Sequence, residues 1–349
     1  MMRFNHCLWL LSLLLAAILP TGGFAAETLR VLTWPGYADA DVVKVFEKRT
    51  NSKVEVTLID SDDVLWQKLN EHRADDFDVF AVNTAELQRY IRHELVLPIN
   101  AAALPNLSTQ LPRFRDLEAI PGIVHDGKVF AIPYTYAEMG LIYDRQQIKE
   151  VPDSIAALWD PRYRGKVLVY DDGTHNFSLA AQALGNATLF HLDKNDWPAI
   201  VNQLIALRRN VLTFYTQPEE SVDLFRSRQA SLMLANYGSQ QLQLLRAAGA
   251  DVGYVIPKEG ALAWLDCWAV TRGVRNKALA EVWINYLLEP EQGKVLETRQ
   301  GLANTTSPSP YYVAGDNLIW LEPVENAERR NQLWKRIVSG DRASRVLLP

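Results

Sequence analysis

Thr28-Leu-Arg-Val-Leu-Thr-Trp34, Ala40-Asp-Val-Val-Lys-Val-Phe-Glu-Lys-Arg49, Lys53-Val-Glu-Val-Thr-Leu-Ile59 and Phe77-Asp-Val-Phe-Ala-Val82 decide the fold. The first, third and fourth runs are short, rich in β-branched residues, and read as strands. The second has apolar residues at helical spacing, and Pro35-Gly36 breaks the chain before it. A further helix precedes Phe77, so the order is strand, helix, strand, helix, strand. That order means parallel βαβ units and an α/β fold. Ligands in such sheets bind beyond the carboxyl ends of the strands, and Trp34 to Tyr37 and Asn83-Thr84 fall at two such ends.

After Ala131-Ile132-Pro133-Tyr134 the pattern changes and a second alternating set begins. Strands are expected at 166–170, 211–215 and 230–234, with helices at 178–183 and 197–207 between them. A strand around Trp264 then leads into a helix from Lys277 to Leu288, and Glu289-Pro290 opens another. The chain has 349 residues, too many for one small core, and shows no repeat or flexible linker. Two α/β lobes packed around a cleft are expected, with the chain crossing between them more than once.

The N-terminus reads as an export signal: Arg3 and His6, an apolar run from Cys7 to Leu19, then small residues to Ala26. Cleavage after Ala25 makes residues 1–25 the signal peptide. Cys7 leaves with it, so Cys267 is the one cysteine kept and no internal disulfide can form. A large exported chain without disulfides points to the bacterial periplasm. The net charge of -5 argues against nucleic acid or an anionic membrane as partner and is compatible with a cationic ligand.

One segment carries the chemistry, Trp264-Leu265-Asp266-Cys267-Trp268. Strand alternation puts Trp264, Asp266 and Trp268 on one face and Leu265 and Cys267 on the other. A carboxylate among aromatic rings suits an ammonium ion, which the ring faces attract and the carboxylate bonds. The competing reading is an edge strand with Asp266 in water and the tryptophans covering core. Other chemistry is thin. There is no phosphate loop or dinucleotide fingerprint, no pair of histidines at metal-ligand spacing, and no nucleophile elbow, so no cofactor, metal or catalytic residue is assigned. Tyr311-Tyr312, flanked by prolines, reads as a surface loop more than as a ferric-ion site. Cys267 beside a carboxylate could be a nucleophile, but alternation turns it from Asp266's face, and free cysteines are often buried as small hydrophobes.

Taken together, the segments resemble the periplasmic substrate-binding proteins of bacterial polyamine ABC importers, the spermidine/putrescine-binding group. The residues that carry the resemblance keep their order along the chain: Thr33-Trp34-Pro35-Gly36-Tyr37, Phe77-Asp78-Val79, Ala131-Ile132-Pro133-Tyr134, Leu158 to Lys166, Tyr170-Asp171-Asp172, Pro257-Lys258-Glu259-Gly260, Trp264-Leu265-Asp266 and Tyr286 to Glu291. The resemblance implies a periplasmic-binding-protein type of α/β fold, two lobes with a hinged ligand cleft. Residues 26–133 with 260–349 would form one lobe and 134–259 the other. It also implies a monomer that hands a small amine to an inner-membrane ABC permease and its ATPase.

By the same resemblance, Trp34 and Tyr37 match aromatic positions lining the amine cleft. Trp264 and Asp266 match the ring and carboxylate that hold an ammonium group, and Asp172 matches an acid from the other lobe. The chain departs from the pattern at several places. The acid expected three residues beyond Asp172 is His175; Asn83 and Ala85 stand where a serine and an aromatic are expected; and Leu302 replaces a tyrosine after Gly301. Tyr237, in the loop Ala235 to Ser239, could supply a missing ring. These departures leave two ligands in view. A putrescine-like diamine would bridge carboxylates of both lobes. A zwitterionic ω-amino acid such as 4-aminobutyrate would use Asp266 for its amine and His175, Asn83 or a nearby arginine for its acid. A thiol enzyme on the same fold, working through Cys267, is the alternative from a different class.

Overall fold

The computed structural model describes residues 26–309 and 317–348. The expected signal peptide, residues 1–25, and Tyr311-Tyr312 lie outside the described residues. Among these, no helix is long and apolar enough to cross a membrane.

The opening run forms as read. β1 (Thr28–Thr33), α1 (Ala40–Thr50), β2 (Lys53–Leu58), α2 (Asp62–Glu71) and β3 (Val79–Asn83) alternate, with β1 parallel to β2 and β3. Local chemistry sets the helix starts. Ser61 Oγ accepts from the Val64 amide at 3.3 Å to cap α2, and Asp62 and Asp63 favour its positive N-terminal end. Asn83 ends β3 and caps α3 (Thr84–Arg92), its Oδ1 accepting from the Glu86 amide at 3.0 Å. Short elements follow: β4 (Val96–Leu97), α4 (Pro112–Arg115), and the pair β5 (Val124–His125) and β6 (Lys128–Val129).

β7 (Ala131–Glu138) is buried along its whole length and runs antiparallel to β13 (Ala261–Thr271). With β14 (Ala303–Asn304), these complete a sheet in the order β14-β7-β13-β3-β1-β2, while β4 and β15 (Leu318–Trp320) also pair with β13. Pro133 sits inside β7, where a ladder amide would be missing. A bulge accommodates it: Asp266 pairs with Thr135 and Cys267 with Pro133, leaving Tyr134 extra.

The second sheet, β10-β9-β11-β8-β12, is built from β8 (Leu141–Asp144), β9 (Val167–Tyr170), β10 (Val211–Tyr215), β11 (Leu232–Leu234) and β12 (Val252–Val255). Helices α5 (His175–Ala183), α6 (Trp197–Asn210), α7 (Pro218–Ser227) and α8 (Ser239–Ala247) cover it. α9 (Lys277–Leu287) and α10 (Pro290–Gln300) return to the first sheet's core. Gly301 closes α10 at φ 69°, and a Cβ there would lie 2.9 Å from Gln240 Cα across the lobes.

Two boundaries differ from the sequence reading. β7 stays in the first sheet through Glu138, so the chain crosses at Met139-Gly140 and not at Tyr134. The C-terminal part, expected with the first lobe, divides. β15 pairs with β13, but α11 (Ala327–Val338) and α12 (Ala343–Val346) pack on α6, burying Leu333, Trp334, Ile337 and Val346 in the second lobe's core. Apolar burial assigns them there, and residues 322–326 form a third crossing.

Candidate functional site

β13 carries Trp264 and Asp266 to the seam between the lobes, pairing on both sides with β7 and β3, so it is a central strand and no edge. Asp266 is 7% exposed, and Tyr37 donates its hydroxyl to the Asp266 carboxylate at 2.7 Å. Burial pushes the carboxyl up to about 7 against the lowering effect of that bond. Burial and the neighbouring carboxylate push the Tyr37 hydroxyl well above its usual value, so it stays a donor. Trp264 is half-buried, touches the apolar clusters of both lobes, and donates Nε1 to the Asn236 carbonyl at 2.9 Å. Alternation held, but only one tryptophan belongs to the cleft. Trp268 is fully buried, edge-on to Trp283 at 6.0 Å beneath α9.

Cys267 faces the opposite side of β13, fully buried with Leu265 and Ala269. Burial raises its thiol well above the ordinary value, and its closest polar contact is the Leu265 carbonyl at 3.9 Å. A thiolate nucleophile needs exposure and a lowered pKa, and this thiol has neither. Cys267→Ala is therefore expected to leave ligand affinity within about twofold of wild type by calorimetry. Its cost is stability, about 1 kcal/mol, read as a small drop in melting temperature.

At the end of β3, Asn83 lies opposite Asp266 in the ladder. Its side chain is already committed: Oδ1 caps α3, and Nδ2 lies 3.4 Å from both oxygens of Asp62. Asp62 was not among the residues singled out from the sequence. Burial raises its carboxyl well above the usual range, and the charges of Glu86, Asp266, Asp172 and Asp63 raise it further. Trp34 is half-buried between the two cores of the first lobe, and its Nε1 has no partner among the described residues. Ala85 is buried against the second lobe's core.

The second lobe's wall comes from the ends of β9 and β11. Asp172 Oδ2 lies 2.6 Å from His175 Nδ1, and Oδ1 accepts from the Thr174 amide at 2.7 Å. Burial alone would raise Asp172, but His175 and the Thr174 amide outweigh it and hold the carboxyl below its usual range. His175 opens α5 and faces Asp172, so its ring is a partner of the acid. Tyr237 stands edge-on to Tyr170 at 5.7 Å and donates its hydroxyl to the Thr216 carbonyl at 2.9 Å. Tyr170, also missed from the sequence, thus shares the wall with Asp172 and Tyr237. Leu302, standing where a tyrosine was expected, is buried in the first lobe's core.

The result is an aromatic-lined seam with carboxylates on both walls. Neither Asp266 nor Asp62 pairs with a lysine or arginine among the described residues. Such an arrangement attracts cations and repels anions.

The chain is 28% identical over 342 residues to the spermidine/putrescine-binding periplasmic protein of Escherichia coli (strain K12), covering 93% of this chain and 94% of that one. Among solved structures, the spermidine/putrescine ABC transporter substrate-binding protein of Streptococcus pneumoniae matches with a TM-score of 0.71 at 19% identity, over 90% of this chain and 100% of that one. A GABA receptor matches at the same TM-score of 0.71 with 16% identity, over 90% and 99% of the two chains, so likeness of fold does not choose a ligand. The model of the bacterial extracellular solute-binding proteins matches residues 41–309, and the chain belongs to that family.

Proposed function

We propose that this protein is the periplasmic receptor of an ABC importer for a small dicationic amine of putrescine type, which it passes to a membrane permease and its ATPase. One observation carries the choice of ligand: Asp266 and Asp62 of the first lobe and Asp172 of the second lie near one another at the seam, with His175 against Asp172. In the proposed complex one ammonium group lies on Asp266 against the Trp264 ring, and the other lies between Asp62 and Asp172. The methylene chain runs along Tyr37, Tyr237 and Trp34. Burying an ammonium without an anionic partner costs several kcal/mol, so the number of carboxylates sets the number of charges accepted. A zwitterion would place its own carboxylate against Asp62 and Asp172, and His175 is already engaged by Asp172.

A calorimetric panel of putrescine, butylamine, spermidine and 4-aminobutyrate tests the reading. Putrescine is expected to bind tighter than butylamine by about tenfold or more, because the second ammonium finds Asp62 and Asp172. Tighter binding of 4-aminobutyrate than of putrescine would overturn the choice of ligand. Asp62→Asn should remove most of the preference for putrescine over butylamine, while butylamine itself is held to within about twofold. An unchanged preference in that variant would remove Asp62 from the site.

A further inference from the structure

We propose that α11 is the positioning element for the second lobe's half of the cleft. Through Arg330, which touches no ligand, it fixes the segment that presents Asp172 and His175. The proposal rests on the reading of Asp172 as a ligand-facing acid.

Arg330 has no solvent exposure, and a buried guanidinium is costly unless its five donors are met. Here all five are. Nε donates to Glu325 Oε1 at 2.9 Å and Nη2 to Oε2 at 2.7 Å, a two-point grip on one carboxylate. Nη1 donates to the Thr174 carbonyl and to Ser178 Oγ, each at 2.9 Å. The remaining Nη2 proton reaches the Phe190 carbonyl at 3.3 Å and that of Leu189 at 3.4 Å. Glu325 in turn accepts from the Leu192 amide at 3.1 Å and is held below its usual range, Arg330 outweighing burial.

Thr174 and Ser178 flank the first turn of α5, the turn that His175 opens. The Thr174 peptide is therefore held from two sides: Asp172 takes its amide hydrogen and Arg330 its carbonyl. Two further contacts from α11 bracket Asp172. Trp334 donates Nε1 to Asp171 Oδ1 at 2.7 Å, with its ring edge-on to Phe214 at 5.0 Å. Gly173 lies flat on the helix: a Cβ there would stand 2.2 Å from Asn331 Oδ1 and 2.9 Å from Asn331 Cα. Residues 171, 173 and 174 are thus each pinned to α11, while Asp172 and His175 between and after them are turned to the seam. The chain reaches α11 directly from β15, so this support is fastened to the first lobe's sheet as well.

Lysine keeps the charge but loses the planar fork, so Arg330→Lys separates geometry from charge. The measurements are putrescine affinity by calorimetry and amide hydrogen exchange in the ligand-free protein. Ile337→Val, buried on the same helix away from the cleft, serves as a control for simple loss of stability. Arg330→Lys is expected to weaken putrescine by about tenfold or more and to speed exchange at residues 172–178 relative to α6. Ile337→Val should lower the melting temperature and leave affinity within about twofold. Wild-type affinity with unchanged exchange in Arg330→Lys overturns the proposal, as does an equal loss of affinity in Ile337→Val. If Arg330→Lys does not fold, Trp334→Phe decides by the same two criteria. If the wild-type protein itself ignores putrescine, the proposed function fails, while exchange at residues 172–178 still decides the role of α11.

Discussion

Asp266→Asn is expected to lose putrescine binding by at least about a hundredfold in calorimetry, without a lower melting temperature for the ligand-free protein. The two halves of this result have one cause. Asp266 is nearly fully buried, and its carboxyl is raised to about 7 because ionisation there is expensive. In the complex an ammonium group offsets that expense, and the bond is charge-assisted in a site that excludes water. In the free protein the expense is uncompensated. An amide of the same shape can still accept from Tyr37, which now donates at 2.7 Å, and it removes the charge. The variant should therefore be at least as stable as wild type and unable to hold an amine. Affinity within about tenfold of wild type would remove Asp266 from its assigned role.

The second large effect is with pH. A carboxyl at about 7 is mostly neutral below that value, and an ammonium needs it ionised. Binding must then expel a proton, so putrescine affinity should fall by about tenfold for each unit below 7, reaching roughly a hundredfold at pH 5. Through Asp266 alone the affinity levels off above 7, while Asp62, also raised well above its usual range, adds to the dependence for a diamine. Stability moves in the opposite direction to affinity, because the folded protein holds this proton more tightly than the unfolded chain does. From this group alone, the ligand-free protein loses stability as pH rises from the ordinary carboxylate range through 7. Calorimetry in buffers of different ionisation enthalpy measures the released proton directly, and the release should persist in Asp62→Asn, which keeps Asp266. A flat affinity between pH 5 and 8 would show that Asp266 is already ionised before the ligand arrives.

The two faces of β13 were legible in the sequence because strand geometry is strict. The alternation of Trp264 to Trp268 put Asp266 and Cys267 on opposite faces, and the structure has them so. What the pattern could not show was depth. Trp264 and Trp268 share a face, yet one lines the seam and the other lies under α9, a distinction made by where the second lobe ends. Asp62 was missed for a related reason. Asp60-Ser61-Asp62-Asp63 reads as a capped helix start, which it is, and the ends of the first and third strands drew attention while that of the second did not. The rule that ligands meet the carboxyl ends of strands applies equally to β2 and could have flagged it. Residues 260–349 were placed together in the first lobe by resemblance, and the amphipathic pattern of α11 shows which face is buried and not which core receives it.

Hydrogen bonds between protein groups cross from one lobe to the other. Trp264 Nε1 meets the Asn236 carbonyl at 2.9 Å, and Ser239 Oγ donates to the Gly301 carbonyl at 2.7 Å. At a net value near 1 kcal/mol each, such a bond shifts the balance between apart and together by about fivefold. Where opening of the lobes breaks these bonds, closure would draw only part of its driving force from the solute. A receptor built this way captures scarce solute more tightly, since less of the binding energy goes into moving the lobes. In the proposed import it would also offer the permease a standing fraction of closed molecules that carry no cargo. Telling loaded from empty then falls to the permease, and traffic from empty receptors is the cost of tighter capture.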